Sequence, residues 1–232
     1  MKEQLKSFVK QSPFLLKTIR NIREGKLFKK PYSKSVKGKN NILKIKTSAR
    51  LNNCKIDVVG NSNQITIESE SLLNNVIIFI RGNNNQITIS KEVKFNRSGE
   101  LWIEDDFCEL YIGENSTFEE THIAVTEPNS KITIGIDCMF ANDIDIRTGD
   151  SHSIIDTKSN KRINHAQDVV IADHVWVGAH TSILKGSGLA TNSIVATRSV
   201  VTKRFEEQGV LIAGIPAKVI KQDITWDRKR IY

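Results

Sequence analysis

The polar run from Thr148 to His165 carries the side chains best suited to moving a proton. His152 lies two residues after Asp150 and four before Asp156, and His165 closes the run. An imidazole ionises near pH ~6.5, so it can take a proton from an attacking hydroxyl. A carboxylate accepting the second ring N–H would orient it; Asp150 and Asp156 are both candidates, and a backbone carbonyl could serve as well. Residue types alone do not make this a site, because a lone histidine is more often surface polarity. The other histidines, His122, His174 and His180, do not suggest a metal centre. His174 and His180 are six apart, a spacing that stacks side chains one strand onward. Cys54, Cys108 and Cys138 are odd in number, widely spaced and outside any CxxC, which points to reduced thiols in a cytosol and no metal.

A regular scaffold surrounds this run. Aliphatic residues recur every six positions at Ile171, Val177, Ile183, Leu189, Val195 and Val201. Four residues after the first five come Val175, Thr181, Ser187, Ser193 and Ser199, all small or β-branched. Neither the helical period nor simple alternation matches this. Short flat strands joined by tight turns do, with three strands to a coil. The six-step is also present from Ile134 through Phe140 to Ile146, and resumes off register at Ile171. The polar run is therefore a loop leaving a rigid solenoid, where chemistry tends to sit.

A longer period runs through the N-terminal half. Gly38-Lys39-Asn40-Asn41-Ile42 recurs as Gly60-Asn61-Ser62-Asn63-Gln64-Ile65 and as Gly82-Asn83-Asn84-Asn85-Gln86-Ile87, at steps of 22 residues. Asn and Gly suit sharp corners because both tolerate left-handed backbone. The expected fold is an all-β parallel β-helix, each coil touching only its neighbours. The expected organisation is a basic, partly helical arm over 1–37, the solenoid over 38–203 with a loop at 148–168, and a C-terminal segment over 204–232.

Charge is unevenly spread. The first 50 residues hold 15 Lys and Arg against Glu3 and Glu24, a net +13, so the remainder is −5 and the total +8. The basicity belongs to the arm, where Leu5, Phe8, Val9, Leu15, Leu16, Ile19 and Ile22 alternate with the lysines and Pro13 interrupts a helix. Peripheral contact with the anionic inner face of a membrane is the expected use, rather than nucleic acid; packing on the rest of the protein is the plainer reading. The longest apolar run, Val76–Ile80, is too short to span a bilayer, and no secretory signal is read after Met1, so a cytoplasmic location is expected.

Specific motifs then carry a resemblance. Val175-Trp176-Val177-Gly178-Ala179, Ile183-Leu184-Lys185-Gly186, Ser199-Val200-Val201-Thr202-Lys203 and Ala213-Gly214-Ile215-Pro216-Ala217-Lys218-Val219-Ile220-Lys221 are similar to signature coils of the hexapeptide-repeat acyltransferases. Ile215 stands where Asn is usual. Ile146-Arg147-Thr148-Gly149-Asp150-Ser151-His152-Ser153-Ile154 and Arg162-Ile163-Asn164 resemble the polysaccharide O-acetyltransferase branch. The resemblance covers about 130–232. It implies a left-handed β-helix, a homotrimer and acetyl-CoA lying between two subunits. It implies His152 as general base, with Asp150 and Trp176 beside the reacting groups. It implies cofactor contacts from Trp176, Gly178, Ala179, Thr197, Thr202, Lys203, Lys218 and Lys221, and acceptor contacts from Arg147 and Asn164.

The expected function is acetyl-CoA-dependent O-acetylation of a bacterial surface polysaccharide, capsule or O-antigen, or its precursor. The alternatives are a non-catalytic scaffold or carbohydrate-binding module, and an N-acyltransferase acting on a nucleotide-linked amino sugar. A scaffold would not need this set of residues. Serine acetyltransferase is disfavoured for want of a large helical N-terminal domain.

Overall fold

The computed structural model describes residues 32–232. The expected helix of the basic arm falls outside the described residues. Those described form a parallel β-solenoid of about eight coils with three faces. The first face stacks Ser33–Lys37, Lys55–Val59, Val76–Arg81, the ends of the long strands Lys94–Glu104 and Thr117–Val125, then Ile144–Arg147, Ser182–Ile183 and Val200–Val201. The second runs from Ile42–Ile45 to Arg204–Phe205. The third includes Met139–Phe140, Trp176–Val177, Ile194–Val195 and Leu211–Gly214.

Register follows the sequence period. Ile65 pairs with Ile87, 22 residues on, and Ile171 pairs with Leu189, 18 on. Ile87 pairs with Leu110, where one extra residue enters the coil. Ile132 pairs with Val169, so the polar run is an excursion between the first face and the second. Strands continue past 203, with Phe205, Val210 and Ile212 buried, and Ser33 already lies in the first coil. The solenoid thus extends into both flanking segments.

Each coil points its apolar side chains inward, and successive coils stack them into ladders. Phe95, Phe118 and Phe140 form one such ladder, with ring centroids 4.4 and 4.6 Å apart. At one corner, a Cβ on Gly60 would approach the carbonyl oxygen of Gly82 to 1.8 Å, so only glycine fits, and its φ of +143° suits no other residue. Beside it, Asn63 donates to the Gly82 carbonyl and to Asn41. In the later coils the small corner residues Thr181, Ser187, Ser193 and Ser199 are all buried. The three cysteines are buried and free, and burial pushes the Cys108 and Cys138 thiols up to about 12.

Candidate active site

The loop at 148–168 is a tied structure standing on the corner between the first and second faces. Its base is fixed by Thr148, whose hydroxyl donates to the Thr126 carbonyl and accepts from the Thr126 amide. Its outer part is a hairpin pairing Ile155 with Arg162 and Asp156 with Lys161. Asp156 caps the hairpin turn by accepting from the Lys158 and Ser159 amides, so it is not the partner of an imidazole. Arg162 pairs with Glu127 at the neighbouring corner, and the Ala166 amide also donates to Glu127. Desolvation works to raise the Glu127 carboxyl, but these bonds outweigh it and hold it below the usual range.

Asn164 organises the tight turn that carries His152. Buried to 6% exposure, its Oδ1 accepts from the Ile154 amide at 2.7 Å. Its Nδ2 donates to the His152 carbonyl at 2.7 Å and to Asp150 at 2.9 Å. The amide group is thereby committed to the loop, and its contribution to the site is to position the turn. Lys185 donates to the Asp150 carboxylate and to the Asn164 carbonyl. The Lys185 ammonium holds the Asp150 carboxyl below its ordinary range. Asp150 is therefore engaged with Lys185 and Asn164, and no bond joins it to the His152 ring. His152 itself has its amide on the Asp150 carbonyl at 2.8 Å, an exposed side chain, and no ring hydrogen bond among the described residues. A fixed backbone thus presents a free imidazole. Lys185, Glu127 and the positioning role of Asn164 were not read from the sequence; their only signal is the coil stacking that makes positions 20 to 40 apart neighbours.

The other histidines are held elsewhere. His174 hydrogen-bonds Asp137 and stacks on Trp226 at 4.1 Å, while His180 hydrogen-bonds Asp143. His165 is exposed at the end of the loop. His122 bonds Asp145 through Nδ1 at 2.9 Å, and Arg147 grips the same carboxylate through Nε and Nη2. Among the described residues no cluster of His, Cys, Asp or Glu converges to hold a metal ion.

The remaining candidates fall into two groups. Trp176 projects from the third face, 37% exposed, with Trp226 tilted 6.3 Å away. Gly178, Ala179 and Thr197 occupy the corner that follows it. A Cβ on Gly178 would meet the Thr197 amide nitrogen at 2.7 Å, so coil stacking already requires its smallness. Lys218 and Lys221 lie on Ala217–Lys221, the strand that folds back antiparallel on the third face. Three residues apart, they would ordinarily point to opposite sides. A bulge at Ile220 pairs Lys221 with Leu211 and Lys218 with Ala213, which puts both lysines on the outward side. Thr202 and Lys203, in contrast, sit at the corner of the His152 loop.

A three-sided coil sets that corner opposite the third face. One chain therefore holds His152, Thr202 and Lys203 on one side, and Trp176, Thr197, Lys218 and Lys221 across the prism. Within one chain the two groups stay apart. Ile154, Ile155 and Ile163 on the loop, Ile215 before the folded-back strand and Ile220 on it are exposed.

No family model matches the chain. The polysialic acid O-acetyltransferase of Escherichia coli O1:K1 is 40% identical over 119 residues, covering 51% of this chain and 38% of that protein. The polysialic acid O-acetyltransferase of Neisseria meningitidis is 36% identical over 122 residues, covering 53% and 56%. The matched stretch thus spans about four tenths to somewhat over half of these curated relatives. The fold match is longer. The solved polysialic acid O-acetyltransferase OatWY superimposes with a TM-score of 0.80 at 34% identity, over 88% of this chain and 94% of that one. The polySia-specific acetyltransferase NeuO gives 0.77 at 33%, over 85% and 89%. The motif coils and the solenoid agree with these similarities, and the chain belongs to the hexapeptide-repeat acyltransferases, in their polysaccharide O-acetyltransferase branch.

Proposed function

We propose that the protein transfers acetyl from acetyl-CoA to a hydroxyl of a bacterial surface polysaccharide, capsule or O-antigen, or of its precursor. The observation that carries this reading is the His152 imidazole, exposed and without a hydrogen-bond partner among the described residues, on a turn fixed by Asn164. The acceptor hydroxyl gives its proton to the ring as its oxygen attacks the thioester carbonyl. The C–S bond then breaks, and the departing thiolate takes the proton back from the imidazolium, leaving the acetyl ester and the free thiol. Asp150, held by Lys185, keeps the loop in place. Trp176 of a neighbouring copy walls the thioester, and that copy's Lys218 and Lys221 bind the coenzyme phosphates. A homotrimer closes three such sites as a ring of heterologous contacts. The +13 of the first 50 residues supports peripheral contact with an anionic membrane surface.

Thiol release from acetyl-CoA against a panel of capsular and O-antigen glycans tests the reading, and the absence of glycan-dependent release contradicts it. Replacing both Lys218 and Lys221 by Ala should raise KM for acetyl-CoA about tenfold with little change in kcat. Phosphate contacts remote from the carbonyl stabilise ground and transition states alike. A collapsed kcat at unchanged KM would place these lysines elsewhere in the reaction.

A further inference from the structure

The first face carries a cleft that runs to the base of the His152 loop. Its outward residues form ladders across the coils: Phe79, Trp102, Ala124 and Arg147 in one column, and Ile77, Glu100, His122 and Asp145 in the next. Ala124 is the smallest of the four in its column. Its missing bulk leaves a hollow of about 350 Å³ walled by Trp102, Glu100, Glu104, His122, Arg147 and Ser151. Ser151 immediately precedes His152. A second hollow of about 230 Å³ shares Glu100 and His122 with the first, and Thr121, whose buried hydroxyl has no partner among the described residues, lines it.

The chemistry of the lining is selective. Trp102 is half-buried and braced by Phe79 at 3.8 Å, with the Arg81 guanidinium 3.8 Å over the Phe79 ring. That fixes a flat apolar wall. Arg147 gives Nε and Nη2 to Asp145 and keeps Nη1 without a partner among the described residues, and Arg81 is held by Asp57 at 3.3 Å. Glu100 and Glu104 make no ion pair among the described residues. The cleft thus offers free carboxylate acceptors and an aromatic wall, while each of its arginines is already paired with a carboxylate. Carboxylates accept strong hydrogen bonds from hydroxyls and repel other anions.

Resting on the acetyltransfer reading, we infer that this cleft is the acceptor subsite, holding two consecutive uncharged pyranose units of a glycan beside His152. The protein accordingly discriminates against anionic sugars such as sialic acid, the unit of the polymer for which the two curated relatives are named.

Steady-state kinetics with uncharged hexose and N-acetylhexosamine oligomers of one to four units, and with polysialic acid, test this. The native protein should use an uncharged oligomer, with KM falling from one unit to two, and should use polysialic acid poorly. Trp102→Ala and Ala124→Leu should each raise glycan KM about tenfold, the equivalent of one lost stacking contact. KM for acetyl-CoA and the assembly mass by light scattering should stay unchanged. Glu104→Gln keeps the shape and guards against misfolding in the larger changes; it should improve turnover of polysialic acid. Unchanged glycan KM in these variants, a native preference for polysialic acid, or loss of the assembly in the face variants would overturn the inference while leaving acetyl transfer standing. A native protein that acetylates no glycan would take both down.

Discussion

His152→Ala should lower kcat by about 10²–10⁴-fold, the usual worth of a positioned general base. The His152 side chain is exposed and its ring makes no hydrogen bond among the described residues, so its removal leaves no cavity and no orphaned partner there. The turn persists because Asn164 holds it through the His152 carbonyl rather than the ring. Acetyl-CoA binding and assembly should therefore survive. His165→Ala should cost far less, since His165 lies at the foot of the loop rather than on the turn. Asp150 does not take over the role, because Lys185 and Asn164 hold its carboxylate and Lys185 keeps the carboxyl below its ordinary range. Parallel turnover measurements of the native protein and both variants check this; a His152→Ala variant with near-native kcat would remove His152 from the mechanism.

Phe118→Ala should destabilise the protein by about 3–5 kcal/mol, the range for emptying an aromatic site in a packed core. Phe118 is fully buried between Phe95 and Phe140, with stacked rings on both sides. Neighbouring coils cannot collapse into the gap, because their spacing is fixed by backbone bonds at every face. The loss should appear in chemical denaturation as a lower midpoint with a nearly unchanged slope. Phe118→Leu should lose much less. A midpoint within error of the native value would show that the ladder is not the structural spine.

Much of this architecture is legible in the residues. The six-step from Ile171 to Val201 marks inward positions, and all six of those side chains are buried. The Asn and Gly corners spaced by 22 residues correspond to real coil registers. The rhythm failed to predict the last coil because the polar Glu206-Glu207-Gln208 interrupts it, although Val210 and Ile212 return to the core. The loop was readable as an excursion, and its free histidine as a candidate. The partner of Asp150 was not, since Lys185 is 35 residues away and becomes a neighbour only when coils stack. Nor does spacing reveal that Gly178 is small for the sake of Thr197, or that a bulge turns Lys221 to the side of Lys218. The separation of His152 from Trp176 follows from counting three faces per coil, which needs the strand pairing.

That separation makes the central claim directly measurable. His152→Ala and Trp176→Ala should each be nearly inactive alone, and co-expressed in one cell they should form mixed trimers. If each site takes His152 from one copy and Trp176 from its neighbour, about one site in four of a random mixture combines two intact contributions. The account predicts recovery to about a quarter of native turnover in the purified mixture. Turnover no higher than that of the two variants assayed separately would mean that both residues act within one chain, and would contradict it.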